Sequence, residues 1–144
     1  MMRIEIATIE RQLYSGEAEA VVAPGLEGQF TVLPHHTYLI AGLGHGELVV
    51  RHGGTEDAFA IHGGLMQVRP DRVIVLADVA EAAHEIDLQR AQAARKRAAE
   101  WIQHAANGPE SAQAETALRR SLVRLQVARR RAPKQHPKGR SEED

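Results

Sequence analysis

The strongest constraint on this chain is a change in its repeat at residue 85. Before it, short apolar runs alternate with a two-residue period and are punctuated by glycine and proline. After it, alanine and arginine dominate and the apolar positions recur at helical spacing. The two patterns need different backbones, because strand side chains change face at every residue and helix side chains return after 3.6. The sequence therefore predicts two modules, residues 1–84 and 85–132, followed by a disordered tail at 133–144. Charge divides at the same place. Residues 1–84 hold 5 Lys+Arg against 11 Asp+Glu, and residues 85–144 hold 13 against 8. Ten of the 12 glycines precede residue 85. Halves of opposite sign imply different neighbours.

The first module reads as β. In "RIEIATI", Ile4 and Ile6 share one face, with Arg3 and Glu5 on the other. The runs "EAVVAP", "GQFTVLP", "GELVVR", "DAFAIHGG", "LMQVRPD" and "RVIVLAD" follow, each bounded by turn formers. Many short strands imply a sandwich or small barrel. The expected core contains Ile6, Val22, Phe30, Val32, Val50, Phe59, Ile61, Val73 and Val75. At about 1.5–3 kcal/mol for each large side chain fully buried, a module of this size can sustain one. The pairs Gly53-Gly54 and Gly63-Gly64 read as turns. They do not fit the spacing of a phosphate loop and open no helix.

The second module reads as two antiparallel helices. Asp87 is an expected N-cap before "LQRAQAARKRAAEWIQHAA". The stripe Leu88, Ala91, Ala94, Ala98, Trp101/Ile102 and Ala105 has helical spacing. Asn107-Gly108 is the expected stop, with Pro109 in the first turn of the next helix. There the stripe is Ala114, Leu118, Leu122 or Ser121, Leu125 and Ala128. Alanines let helices approach closely but bury little area, so a marginally stable hairpin is expected.

Several function classes are disfavoured. The chain has no cysteine, which removes disulfides and thiolate chemistry. No apolar run approaches the ~20 residues that span a bilayer. The N-terminus lacks a basic-then-apolar leader, so a cytoplasmic-side protein is expected. Aromatics make up 3% and the first module is acidic, which argues against nucleic acid. His35, His36, His45 and His62 raise the alternative of a small metal-dependent, cupin-like β-sandwich enzyme. The adjacent pair His35-His36 weakens it, because neighbouring strand side chains point to opposite faces. No metal site is expected, and His36 reads as a turn residue bonded to a backbone carbonyl.

The segments "EGQFTVLPHHTYLIAGLGHGELVVR", "FAIHGGLMQV", "VIVLADVAEAAHEIDLQRAQAA" and "ALRRSLVRL" resemble, in order and spacing, the epsilon subunit family of F-type ATP synthases. The resemblance implies an α+β protein, with an N-terminal ten-stranded β-sandwich followed by a C-terminal antiparallel helix-turn-helix. It implies a non-catalytic central-stalk subunit that joins the gamma subunit to the c-ring. Such a subunit is peripheral to the cytoplasmic face of the bacterial inner or plasma membrane. It also implies that the helices fold against the sandwich or extend toward the catalytic alpha/beta subunits, where they restrain ATP hydrolysis. The family usually has glycine where Thr31 and His35 stand, and often proline at Tyr38.

"IDLQRA", Ile86 to Ala91, is similar to a motif through which some members bind ATP. No cofactor is required on this reading, and ATP is a regulatory ligand. The residues carried over are Glu81, Ile86, Asp87, Arg90, Ala91, Arg120 and Arg124. Arg120 and Arg124 are four apart, hence on one helical face, and could join Arg90 around a triphosphate. The competing reading is that Asp87 only caps the helix while Arg90 pairs in solvent with a neighbour such as Glu85. Residues 115–131 hold six arginines against one glutamate, Glu115. Arg119, Arg129, Arg130 and Arg131 are accordingly expected to contact acidic surface of the catalytic beta subunit.

Overall fold

A computed structural model describes residues 1–105, 108 and 110–131. The tail at 133–144, Asn107, Pro109 and the side chain of Arg131 lie outside the described residues. Seven strands come first: β1 (Met2–Ala7), β2 (Gln12–Ala18), β3 (Ala20–Gly25), β4 (Gly28–Val32), β5 (Leu39–His52), β6 (Thr55–Val68) and β7 (Arg72–Ala82). A single 3-10 turn, Ala83–Glu85, leads to α1 (Leu88–His104) and α2 (Ser111–Arg131).

The strands form one sheet in the order β2-β1-β7-β6-β5-β3-β4. β1 and β7 run parallel, and the other neighbours are antiparallel. The sheet doubles over on itself. β2, at one edge, meets β5 four places away, and Tyr14 packs edge-on against Phe59 with ring centroids 5.5 Å apart. Between the layers lies one core, with Ile4, Ile6, Val21, Val32, Leu48, Val50, Ile61, Met66, Val68, Val73 and Val75 buried.

The ten strands expected from the resemblance are seven continuous ones, three of which cross a crease. Pairing lapses along a line through Gly44, Gly63 and Asp78. The inward-facing set changes parity across that line: Leu43 then Leu48 in β5, Ile61 then Met66 in β6, Ala77 then Ala80 in β7. A flat strand keeps its parity, so odd steps in three neighbours record a shared bend. Each of the three therefore contributes a segment to either side of the crease. Gly63-Gly64 is thus a bend inside β6, where the sequence suggested a turn. Gly63 has φ +82, and a methyl group on Gly64 would collide with the Leu76 carbonyl oxygen. Gly53-Gly54 does form the β5–β6 turn, with φ +56 and +78. β2 was not among the alternating runs, because this edge strand is mostly polar and half-exposed.

The helical module follows expectation more closely. Asp87 is the N-cap of α1, accepting from the Arg90 backbone N–H at 3.1 Å. α1 buries only Ala91 and Ala98, and it rests mainly on α2. On α2, Ala114, Ser121 and Leu125 are buried while Leu122 is exposed, so Ser121 takes the place offered to either. Ser121 donates its hydroxyl to the Ala117 carbonyl at 2.9 Å, which satisfies it within the helix.

Candidate functional site

The site is the face where α2 lies against the outer side of β5, β6 and the 3-10 turn. Its apolar part is a separate small cluster. Val22, Val49, Ala58 and Ala60 come from the sheet, and Val123 and Val127 from α2. Ala83 and Ile86 pack at its rim. Val123 and Val127 do not stand out in the sequence. They form a second stripe, four residues apart, hidden between arginines. β3 carried the matching signal: five of its six residues are buried, so both its faces are covered.

Ion pairs surround this cluster. Arg130 Nε lies 2.5 Å from Glu47 Oε1, and its Nη1 donates to Glu56 Oε2 at 3.1 Å. The Glu47 side chain is only 6% exposed. Burial pushes its carboxyl pKa up, against the opposing pull of Arg130. Arg124 Nε donates to Glu81 Oε2 at 3.0 Å. Below Arg124 and Arg120, His45 and His62 face each other with Nδ1 atoms 3.2 Å apart.

The junction is also tied directly to the sandwich. Glu85 accepts from both terminal nitrogens of Arg11, at 2.5 and 2.7 Å, and from the Ala82 backbone N–H at 3.1 Å. The hydrogen bond from Arg11 holds the Glu85 carboxyl below the usual carboxylate range. The strap up to Glu85 is therefore fixed to the sandwich, and Ile86-Asp87 is the joint between it and α1.

The seven residues expected to bind ATP are distributed around this joint. Glu81 and Arg124 pair with each other. Ile86 packs at the cluster rim, and Ala91 is fully buried. Asp87 is occupied as a cap. Arg90 is 87% exposed, with Nε 3.9 Å from Asp87 Oδ2. It does not pair with Glu85, which is taken by Arg11. Arg120 is exposed and lines a shallow pocket on α2 with Thr116 and Ala117. None of the seven lines the cleft of about 450 Å³ between β2, β6 and the end of α2, whose walls include Tyr14, Asp57, Phe59, His84 and Arg129.

Among the arginines expected to meet a partner, Arg119 and Arg129 are exposed, while Arg130 is held by two carboxylates of the sheet. His36 Nδ1 lies 2.8 Å from the Thr37 carbonyl oxygen, as expected for a turn residue. His35 has φ +66, the left-handed conformation that glycine takes without cost, and its N–H donates to the Pro70 carbonyl at 2.8 Å. Among the described residues no group of three or more His, Cys, Asp or Glu could hold a metal ion. No helix among them is long and apolar enough to cross a membrane.

An acidic sandwich carrying a basic hairpin defines a two-module protein, and sequence comparison identifies its class. Residues 1–83 match the family described as ATP synthase, Delta/Epsilon chain, beta-sandwich domain, and residues 84–129 match the long alpha-helix domain of the same chain. The chain belongs to the ATP synthase delta/epsilon family. It is similar to the ATP synthase epsilon chain of Dehalococcoides mccartyi strain BAV1, 46% identical over 94% of this chain and 96% of the relative. It is 44% identical to that of Herpetosiphon aurantiacus, over 93% and 98%. It also superimposes on a chain in the cryo-EM structure of Euglena gracilis mitochondrial ATP synthase (OSCP/F1/c-ring, rotational state 1), with TM-score 0.76 and 25% identity, covering 88% of this chain and 80% of that one. Within the family it is an epsilon-type subunit of the central stalk, non-catalytic and peripheral to the membrane through the F1 part of the complex. Membership sets aside the metal-dependent enzyme as an alternative.

Proposed function

We propose that the sandwich joins the gamma subunit to the c-ring at the cytoplasmic face of a bacterial membrane, while the hairpin acts as a mobile brake on ATP hydrolysis. One observation carries this reading: the contact that holds α2 to the sheet is separate from the sandwich core. It consists of a small cluster to which α2 supplies two valines, ringed by ion pairs. Releasing α2 would leave the core between the layers intact. It would expose Val22, Val49 and Ala58 and free Arg124 and Arg130. Those cations, with Arg119, Arg129 and Arg131, would then meet acidic surface on the catalytic alpha/beta subunits.

ATP enters as a ligand of the docked state. Asp87 or Glu81 would accept from the adenine amino group or a ribose hydroxyl, with Ile86 and Ala91 beside them. Arg90, Arg120 and Arg124 would take the triphosphate. A ligand that binds one state shifts the balance by its differential affinity, ~2.7 kcal/mol at 100 times its dissociation constant. That is comparable with what a small docking contact can supply. The test is calorimetric titration with ATP and magnesium. Arg120→Ala and Arg124→Ala should each weaken binding by about ten- to a hundredfold, at ~1.5–3 kcal/mol for each charged hydrogen bond lost. Unaltered affinity would contradict the pocket. Silence in the wild-type titration would remove ATP from the account and leave the stalk role standing.

A further inference from the structure

Two imidazoles beneath α2 have no part in the ATP reading. His45 on β5 and His62 on β6 are direct cross-strand partners. Their rings lie 5.3 Å apart, and the two Nδ1 atoms face each other at 3.2 Å. His62 is 4% exposed, and its Nε2 has no hydrogen-bond partner among the described residues. The pair is complete when both rings are neutral, because one Nδ1–H then donates to the other bare Nδ1. A proton taken up at Nε2 of the donor ring keeps that bond but buries a charge beneath arginines, and protonation of both rings turns both Nδ1 atoms into donors pointed at each other. The charges brought up by α2 are also adverse: Arg119 and Arg120 act on His45, and Arg120 and Arg124 on His62. The carboxylates on the same face are committed elsewhere. Glu47, two residues along β5, holds Arg130, and Glu81 on β7 holds Arg124. The residue of β7 opposite His62 is Val79.

We propose that the His45–His62 pair is a proton-sensitive latch: α2 docks over neutral imidazoles, and their protonation releases the hairpin. The latch rests on the mobile-hairpin reading and adds a second input to it, independent of ATP.

The direction follows from the docked environment. Burial first, then His45 and the arginines, lowers the His62 pKa from 6.5 to about 4, and burial followed by Arg120 and Arg119 lowers that of His45. Undocking returns both rings to water. A base with a depressed docked pKa favours docking above its free pKa, and the advantage is lost as pH falls toward the docked value. Between pH 7.5 and 5.5, His62 alone should shift the equilibrium toward release by about tenfold, given its fall from 6.5 to about 4. Glu47 works in the other direction, since its raised carboxyl pKa favours proton uptake in the docked state. Its contribution opposes release and persists when the histidines are replaced, so the difference between the parent and the histidine variants isolates the imidazoles.

The chain has no cysteine, which allows a direct test on the full chain. Val127→Cys places a single thiol in the docking cluster, where the native residue is fully buried. Its reaction with a pyridyl disulfide reagent, normalised to a free thiol at the same pH, reads the undocked fraction. That fraction should rise about tenfold or more from pH 7.5 to 5.5. The rise should shrink to under threefold when His62→Gln and His45→Gln are added, with circular dichroism confirming a folded sandwich. A rise of equal size in the histidine variants would overturn the latch while leaving the mobile hairpin intact. A thiol that never reacts at any pH, even in urea too dilute to unfold the sandwich, would overturn both. Should the double variant fail to fold, His62→Gln alone, removing the more strongly shifted ring, must still cut the rise by more than half.

Discussion

Arg130 is half-exposed yet answers two carboxylates, one of them almost wholly buried. Removing the cation leaves Glu47 in a low-dielectric pocket, and its second oxygen, Oε2, already lacks a partner among the described residues. Arg130→Ala should therefore weaken the docked state by about 1–3 kcal/mol, allowing for solvent screening of the arginine. Adding Glu47→Gln should recover most of that loss, and thiol labelling at position 127 would measure both. Asp87 presents a different question, since it caps α1 whether or not it binds nucleotide. Asp87→Ser keeps an oxygen that can cap and removes the carboxylate. Far-UV circular dichroism and urea stability should stay within about 0.5 kcal/mol of wild type. If the carboxylate recognises ATP, affinity should fall. Unchanged affinity would return Asp87 to a purely structural role. His35 adds a lesson at this scale: a histidine in the left-handed region is legible only as a departure from a pattern, because nothing local in "LPHHTY" signals it.

At the level of elements, the strands and helices follow physical signals of unequal strength. Ile4 and Ile6 against Arg3 and Glu5 made β1 plain, because one face is buried and the other wet. β7 was equally clear up to Asp78, but its continuation to Ala82 was not, because the parity change at the crease breaks the alternation that marks a strand. The same break split β6 at Gly63-Gly64 in the sequence reading. The crease makes a prediction of its own. Gly64→Ala forces a methyl group against the β7 backbone at φ +132, so it should destabilise the sandwich by about 2–3 kcal/mol in urea unfolding. Gly54→Ala has open space around it and a milder φ of +78, and should cost less. In the helices, the alanine stripe announced the α1–α2 contact. Val123 and Val127 were not legible, because a two-valine stripe among arginines has no periodic strength until the sheet face opposite is known. For the same reason the sequence named most of the cationic groups of the candidate site but not the carboxylates Glu47 and Glu56 that hold Arg130, nor the imidazole pair.

The whole molecule is a sandwich with its own core and a hairpin fastened to it by a small, charged contact. Its modules are unequal in autonomy. Residues 1–85 should fold alone, with the junction clamped by Arg11 and Glu85, and should still associate with the gamma subunit in a pull-down. The isolated hairpin, with two alanines as the buried residues of α1, should be largely unfolded by circular dichroism. The central claim is that the hairpin's position sets the rate of ATP hydrolysis, and a lock tests it most directly. Ala58→Cys/Val127→Cys joins the two sides of the docking cluster across the modules. In F1 reconstituted with this variant, oxidation should hold the hairpin down and raise ATP hydrolysis, and reduction should restore the restraint. Equal hydrolysis rates in the locked and unlocked states would contradict the account.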